Sequence, residues 1–143
     1  MIEIPTPDVL DLIAGWTHVH LDGKPVVWRE IPIRAMGKPR MTRRDQWVQR
    51  PSVVQSRHQA DDIREAFGLN ALQKWVSADR LDLFIEYGEF GPVYPHTQKP
   101  DLDNILKLVM DALFTRDQAV WMSTQIKMIG NKDRLIVVVW NPR

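Results

Sequence analysis

Two aspartates two residues apart, Asp101 and Asp103, stand directly before an apolar run in the stretch KPDLDNILKLVMDALFTRDQAV, residues 99–120. Pro100 fixes its own φ and biases Lys99 toward extended backbone, so the chain is expected to enter extended, with residues i and i+2 on one side. That places two carboxylates together at a helix N-terminus. Adjacent carboxylates repel unless a proton or a cation lies between them. The chain has no Cys, and its four His (His18, His20, His58 and His96) are scattered. Any metal donors are therefore hard oxygens, which favour Mg²⁺ or Mn²⁺ over Zn²⁺. Asp117, in the loop after the apolar run, can return to the same edge. A plainer reading stays open: Asp is a favoured N-cap, worth about 1 kcal/mol, and Asp103 can serve as that alone. Capping uses one Asp and leaves Asp101 unexplained.

The apolar run is a helix by its content, expected from about Asp103 to Phe114. Ile105, Leu106, Leu108, Val109, Met110, Ala112 and Leu113 cover nearly its whole circumference. A helix apolar almost all round is buried. Its polar exceptions, Asn104, Lys107 and Asp111, are spaced i, i+3 and i+7, a single stripe that should face a solvent channel or a site. Lys107 and Asp111 also form an i,i+4 pair of the kind worth a few tenths of a kcal/mol on a surface.

The elements that must carry this helix follow from period and punctuation. Val26–Ala35 is β-branched, holds Trp28 and reads as a strand, and Gly37 to about Val54 reads as a loop or hairpin. Gln55 to about Val76 has a helical pattern with Ile63, Phe67, Leu72 and Trp75 as core contacts, interrupted at Gly68-Leu69-Asn70. Leu81–Tyr87 is a strand and Glu89 to Pro100 a loop. Two strands end the chain, Val120–Ile129 and Leu135–Trp140, with Gly130-Asn131-Lys132-Asp133 as a hairpin turn. The order β-α-β-α-β-β implies an α/β fold, a small mixed sheet packed with helices. Residues 1–24 read as an appendage with a short helix using Val9, Leu10, Leu12, Ile13 and Trp16, leaving 25–143 as the domain.

The 143 residues make one domain's length. An apolar share of 44% and a charged share of 26% match a globular protein and make disorder, collagen and coiled coil poor readings. The lack of Cys excludes disulfide scaffolds, thiol catalysis and Cys-based zinc sites. The longest apolar run, Leu135–Trp140, falls far short of the ~20 residues that span a bilayer. The opening MIEIPTPD lacks the basic-then-apolar pattern of a signal peptide. A cytoplasmic protein without a membrane partner is expected. Net charge is +1, yet its distribution is uneven. From Arg29 to Arg57 the basic residues are Arg29, Arg34, Lys38, Arg40, Arg43, Arg44, Arg50 and Arg57, opposed by Glu30 and Asp45 alone, a local +6. Arg suits phosphate better than a Lys point charge does. Lys38, Arg40, Arg43 and Arg44 lie in one loop with Trp47, which can stack on exposed bases or pack at a dimer interface. A solvated charged loop is the alternative.

The element PDLDN-x-x-K-x-x-x-D-A-L, followed by an Asp just before Gln-Ala-Val, closely resembles the RusA family of Holliday junction resolvases, small metal-dependent endonucleases of bacteria, prophages and phages. The upstream GKPRMTRR resembles the family's basic segment after the first strand, and the resemblance covers about residues 26–141. It implies that Asp101, Asp103 and Asp117 are catalytic and bind Mg²⁺ (Mn²⁺ as a substitute), and that Lys107 is the catalytic lysine. Asn104 sits inside the motif and can orient a ligand. Asp111 matches a recurrent family position or pairs with Lys107. Arg116 departs from the family, where some relatives place a second acid before the aspartate.

The resemblance further implies a homodimer that resolves four-way branched DNA by paired symmetric nicks, in recombination and repair. The basic loop would hold junction arms through phosphates, with little base reading. No Ser/His/Asp or Cys/His arrangement is present, in keeping with direct attack by water. Lys127, on the strand after Asp117, can reach a phosphate or be solvated. His96, in the loop before the acidic motif, can contact DNA. Two other classes compete: a non-catalytic junction- or duplex-binding protein, and a glycosyltransferase using the D-x-D pair for a nucleotide-sugar's metal. The latter has little room in this length and leaves the Arg-rich loop unused.

Overall fold

The computed structural model describes residues 26–39, 50–70, 73–89 and 94–143. The expected appendage and its helix, and Arg40, Arg43, Arg44 and Trp47 of the basic loop, lie outside the described residues. The elements run β1 (Val26–Ile31), α1 (Pro51–Ala66), β2 (Arg80–Gly88), β3 (Tyr94–Pro95), α2 (Leu102–Leu113), a 3₁₀ turn (Asp117–Ala119), β4 (Met122–Gly130) and β5 (Arg134–Trp140). Among the described residues the fold is mixed α/β: four long strands in one mixed sheet with two helices, plus the two-residue β3 at its edge. The sequence pattern does not predict β3, because two residues carry no period.

Local chemistry explains the bounds. β1 stops at Ile31, four residues before its expected end, since Pro32 has no N–H for the ladder. α1 starts at Pro51, which is suited to the first helical position, and closes at Ala66 instead of running to Val76. There Gly68 adopts φ +74°. Its N–H donates to Glu65 O (2.9 Å) and that of Leu69 to Arg64 O (2.9 Å), a Schellman ending that only a left-handed residue completes.

The strand order is β1-β5-β2-β4-β3, with β2 parallel to β4 and antiparallel to β5. This corrects the hairpin expected at residues 130–133. β4 and β5 do not pair; β2 is inserted between them, with Gly88 opposite Gly130 and Glu86 opposite Arg134. The link from Gly130 to Arg134 must cross two strand spacings, about 9.5 Å, over the end of β2. Four Cα steps reach ~13 Å when extended, so the link is nearly taut. Turn-forming residues are equally at home in either connection, which is why the pattern alone reads as a hairpin.

Side chains of β2 and of the link secure the crossing. The Asn131 and Lys132 N–H groups donate to Glu86 Oε2 (2.9 and 3.2 Å), and Arg134 Nε donates to Glu86 Oε1 (2.6 Å). Asp133 Oδ1 in turn accepts the Gly88 N–H (2.9 Å). A Cβ on Gly88 would meet Lys132 C and Cα at 2.9 Å, both of them backbone atoms.

Every residue of β2 except Gly88 is buried. Leu81, Leu83, Ile85 and Tyr87 face both helices, where Ile63 of α1 and Ile105, Leu108, Val109, Ala112 and Leu113 of α2 complete the main core. The opposite face gathers Val26, Phe84, Ile136, Val138 and Trp140, contributed by strands alone. On that face lies a buried ion pair, Arg80 to Asp82 (2.9 Å). Burial raises the Asp82 carboxyl above its usual range, opposed by Arg80 and by hydrogen bonds from Trp140 Nε1 (3.0 Å) and the Thr124 N–H (2.9 Å). Among the described residues no helix is long and apolar enough to cross a membrane.

The crossing yields a stability test. Gly88→Ala pushes a methyl into the 132–133 backbone and should cost about 1–3 kcal/mol, the usual range for overpacking. Urea unfolding of the variant against the native chain measures it.

Candidate functional site

α2 returns from the carboxyl end of β2 toward the start of β4, so its N-terminus lies at the carboxyl edge of the parallel pair, where open α/β sheets bind ligands. Asp101 is its N-cap residue (φ −70°, ψ 151°) and Asp103 the second helical residue. Both carboxylates are exposed. The helix starts at Leu102, one residue earlier than expected, so the extended entry ends at Asp101. No side chain caps the helix, and Asp101 O accepts the Ile105 N–H (3.1 Å). The capping alternative is therefore not realised, and two anionic groups stand at the positive end of a helix dipole. Lys107, one turn beyond Asp103, is exposed on the same side.

The polar stripe of α2 faces the start of the basic segment. Asn104 O accepts the Lys38 N–H (3.0 Å), and a Cβ on Gly37 would lie 2.9 Å from Asn104 Cβ and 3.1 Å from Pro100 Cβ. Asp111 is bound by Lys38 Nζ and not by Lys107, which corrects the expected i,i+4 pair. Geometry decides this: Lys38 is delivered onto the helix by its own backbone bond to Asn104, two turns before Asp111. The pair is half-exposed, of a kind worth up to about 1 kcal/mol. It ties the basic segment to α2 and occupies the Lys38 ammonium. Arg34 is likewise engaged, with Glu89 (2.7 Å) and Asp133 (3.0 Å), and its guanidinium lies over Tyr87.

Asp117 begins the 3₁₀ turn after α2 and is exposed. The twelve residues of α2 put about 18 Å between the helix ends, so Asp117 stands at the opposite edge of the sheet from Asp101 and Asp103. Among the described residues no group of three or more His, Asp or Glu could hold a metal ion. One chain thus brings together Asp101, Asp103, Asn104 and Lys107, and leaves Asp117 apart. Arg116 and Asp117 are flanked by two exposed apolar side chains, Val76 (53% exposed) and Trp121 (62%). The Arg116 N–H donates to Val76 O (2.8 Å), and the Trp121 N–H to Asp79 O (3.1 Å).

Lys127 of β4 is half-buried, and its ammonium donates to Gln98 O (2.5 Å) and Pro100 O (2.6 Å). His96 is buried (7% exposed), so it is not a surface for DNA. Its N–H donates to Lys127 O (3.0 Å), and its ring packs on Tyr87 at 4.4 Å. Tyr87 OH donates to Ala35 O (2.7 Å), and burial pushes that phenol up to about 12. Sequence reasoning missed this belt of Tyr87, His96 and Lys127, because its members are far apart along the chain. It also missed a groove of about 640 Å³ between the 33–39 segment and α1, bounded by Lys99 and Pro100 and edged by His58 and Gln59.

The chain matches no protein-family model and no curated protein sequence.

Burial, helped by the nearby Lys127 charge, lowers the His96 pKa below the ordinary 6.5. The folded state therefore resists a proton that the unfolded chain accepts, and stability should fall as pH drops below about 6.5. His96→Phe keeps the ring on Tyr87 and should flatten that part of the profile of urea midpoint against pH.

Proposed function

We propose that the chain is a Mg²⁺-dependent, structure-selective endodeoxyribonuclease that resolves four-way DNA junctions by paired symmetric nicks, acting as a C2 homodimer in recombination and repair. The observation that carries this reading is the α2 N-terminus. Two exposed, uncapped carboxylates, a lysine one turn on and the anchored start of an Arg-rich segment meet there. Hard oxygen donors of this kind suit Mg²⁺.

One chain supplies two of the three expected carboxylates. A homodimer accommodates the third: with the acids at opposite ends of α2, a two-fold axis can bring the partner's Asp117 to Asp101 and Asp103. Arg116 beside Asp117 favours that approach by its charge, and the exposed Val76 and Trp121 give it apolar area to bury. When bound, Mg²⁺ supplies an activated water and a clamp on the scissile phosphate. Asp101 and Asp103 hold the cation. Lys107 offers positive charge to the attacked phosphate or the leaving oxygen. The basic segment grips the backbone, with junction choice left to shape.

The second reading, a junction- or duplex-binding protein without catalysis, draws on the lack of a three-ligand group among the described residues of one chain. A nicking assay separates the two. With Mg²⁺, the wild type should cut a synthetic four-way junction in preference to linear duplex and flap substrates. Equal cutting of all three would leave a nuclease that is no resolvase, and binding without nicking would favour the second reading. Asp103→Asn should lower nicking by more than about 100-fold, beyond the 10–100-fold that loss of a metal ligand's supporting hydrogen bond costs, while junction binding in EDTA persists.

The divided site has its own test. Asp103→Asn and Asp117→Asn should each be inactive alone. Co-expressed, they should recover about a quarter of wild-type nicking, since half of randomly paired dimers carry one intact site. A dead mixture would place all three acids in one chain's site.

A further inference from the structure

We infer that Lys127 is a positioning residue, whose ammonium holds the Gln98 and Pro100 carbonyls and thereby sets where the Asp101 carboxylate stands; this rests on the nuclease reading above. The Pro100 oxygen is the decisive contact. The peptide unit is planar, so Pro100 O, the Asp101 nitrogen and Asp101 Cα move as one rigid plate. An ammonium 2.6 Å from that oxygen therefore fixes Asp101 Cα directly. A second bond to Gln98 O, at 2.5 Å, holds the same segment two residues upstream. The two carbonyls bracket Lys99 and converge on one nitrogen.

The anchor is itself rigid. Lys127 lies in β4, paired with the buried Ile85 of β2, and its carbonyl receives the His96 backbone N–H (3.0 Å). His96 in turn is packed on Tyr87 of β2. Three hydrogen bonds thus tie the chain from His96 to Asp101 to Lys127, beside the packing of His96 on Tyr87. Lysine favours water, and holding its long side chain in one place costs rotamer entropy. Two carbonyls that would otherwise lack this donor offset that cost. The ammonium also places a fixed positive charge one residue from Asp101, which eases the repulsion between the two carboxylates before a cation arrives.

Lys127→Met keeps the length of the side chain and removes the donors. The Mg²⁺ concentration for half-maximal junction nicking should rise by about 10–100-fold, the range found when a metal ligand loses its support. Junction affinity in EDTA, and its dependence on salt, should stay within about twofold. Lys127→Arg, with donors enough for both carbonyls, should restore most of the Mg²⁺ response. A lysine that instead contacted phosphate would weaken binding in EDTA, reduce the salt slope by about 1 and leave the Mg²⁺ response intact. That result overturns the inference, as does a Lys127→Met enzyme indistinguishable from wild type. Should Lys127→Met fail to fold, Lys127→Gln, with one amide for two carbonyls, carries the test; an unchanged Mg²⁺ response there overturns the inference equally. Wild type that nicks while these variants match it sinks the positioning role alone. Wild type that never nicks sinks the nuclease reading and this inference with it.

Discussion

The fold depends on a short link passing over the end of a strand. Because β2 lies between β4 and β5, residues 131–133 must cross its carboxyl terminus, and there is space for them only because Gly88 has no side chain. Glu86 and Asp133 then satisfy the backbone N–H groups that the crossing strips of ladder partners. These N–H groups are part-buried and find their acceptors in the two carboxylates, whose role here is structural. Once β4 is held parallel to β2, the chain between them has to travel back along the sheet, and α2 is the element that does so. The position of Asp101 and Asp103 at one edge and Asp117 at the other is a consequence of that return.

The acidic residues accordingly divide by environment. Asp82 and Glu86 are buried and bonded to arginines or backbone donors, and they hold the sheet. Asp111 anchors Lys38 and so joins the basic segment to α2. Asp101, Asp103 and Asp117 stay exposed. A carboxylate that serves structure gains most when desolvated and paired, whereas one that must receive a cation has to remain accessible. The same division runs through the basic residues: Lys127, Arg34 and Lys38 are committed to protein partners.

Much of this was legible in the chain, and particular residues show why. The apolar circumference of α2 and the alternation of Leu81, Leu83 and Ile85 report burial directly, since period maps onto faces. Gly68 marked the break in α1, although the pattern placed the helix four residues late and carried it ten residues too far. The Gly130–Asp133 turn and the two strands that flank it are legible, and the insertion of β2 between them is not, because turn chemistry is local while strand neighbours are chosen by the whole sheet. The pairing of Asp111 was misassigned for a similar reason: spacing along a helix lists the available neighbours, and Lys38 came from outside that list.

The sequence by itself determined the elements, the apolar faces, the carboxylate pair ahead of a buried helix and the concentration of arginine upstream. These are properties of neighbouring residues, where propensity and period act. Only the tertiary structure decided that β2 separates β4 from β5 and that Lys38 meets Asp111. It also brought the Lys127 ammonium to the Pro100 carbonyl and placed Asp117 a helix length from Asp101. Each of those rests on contacts between residues distant in the chain, whose geometry is settled by packing and by the need to satisfy buried polar groups.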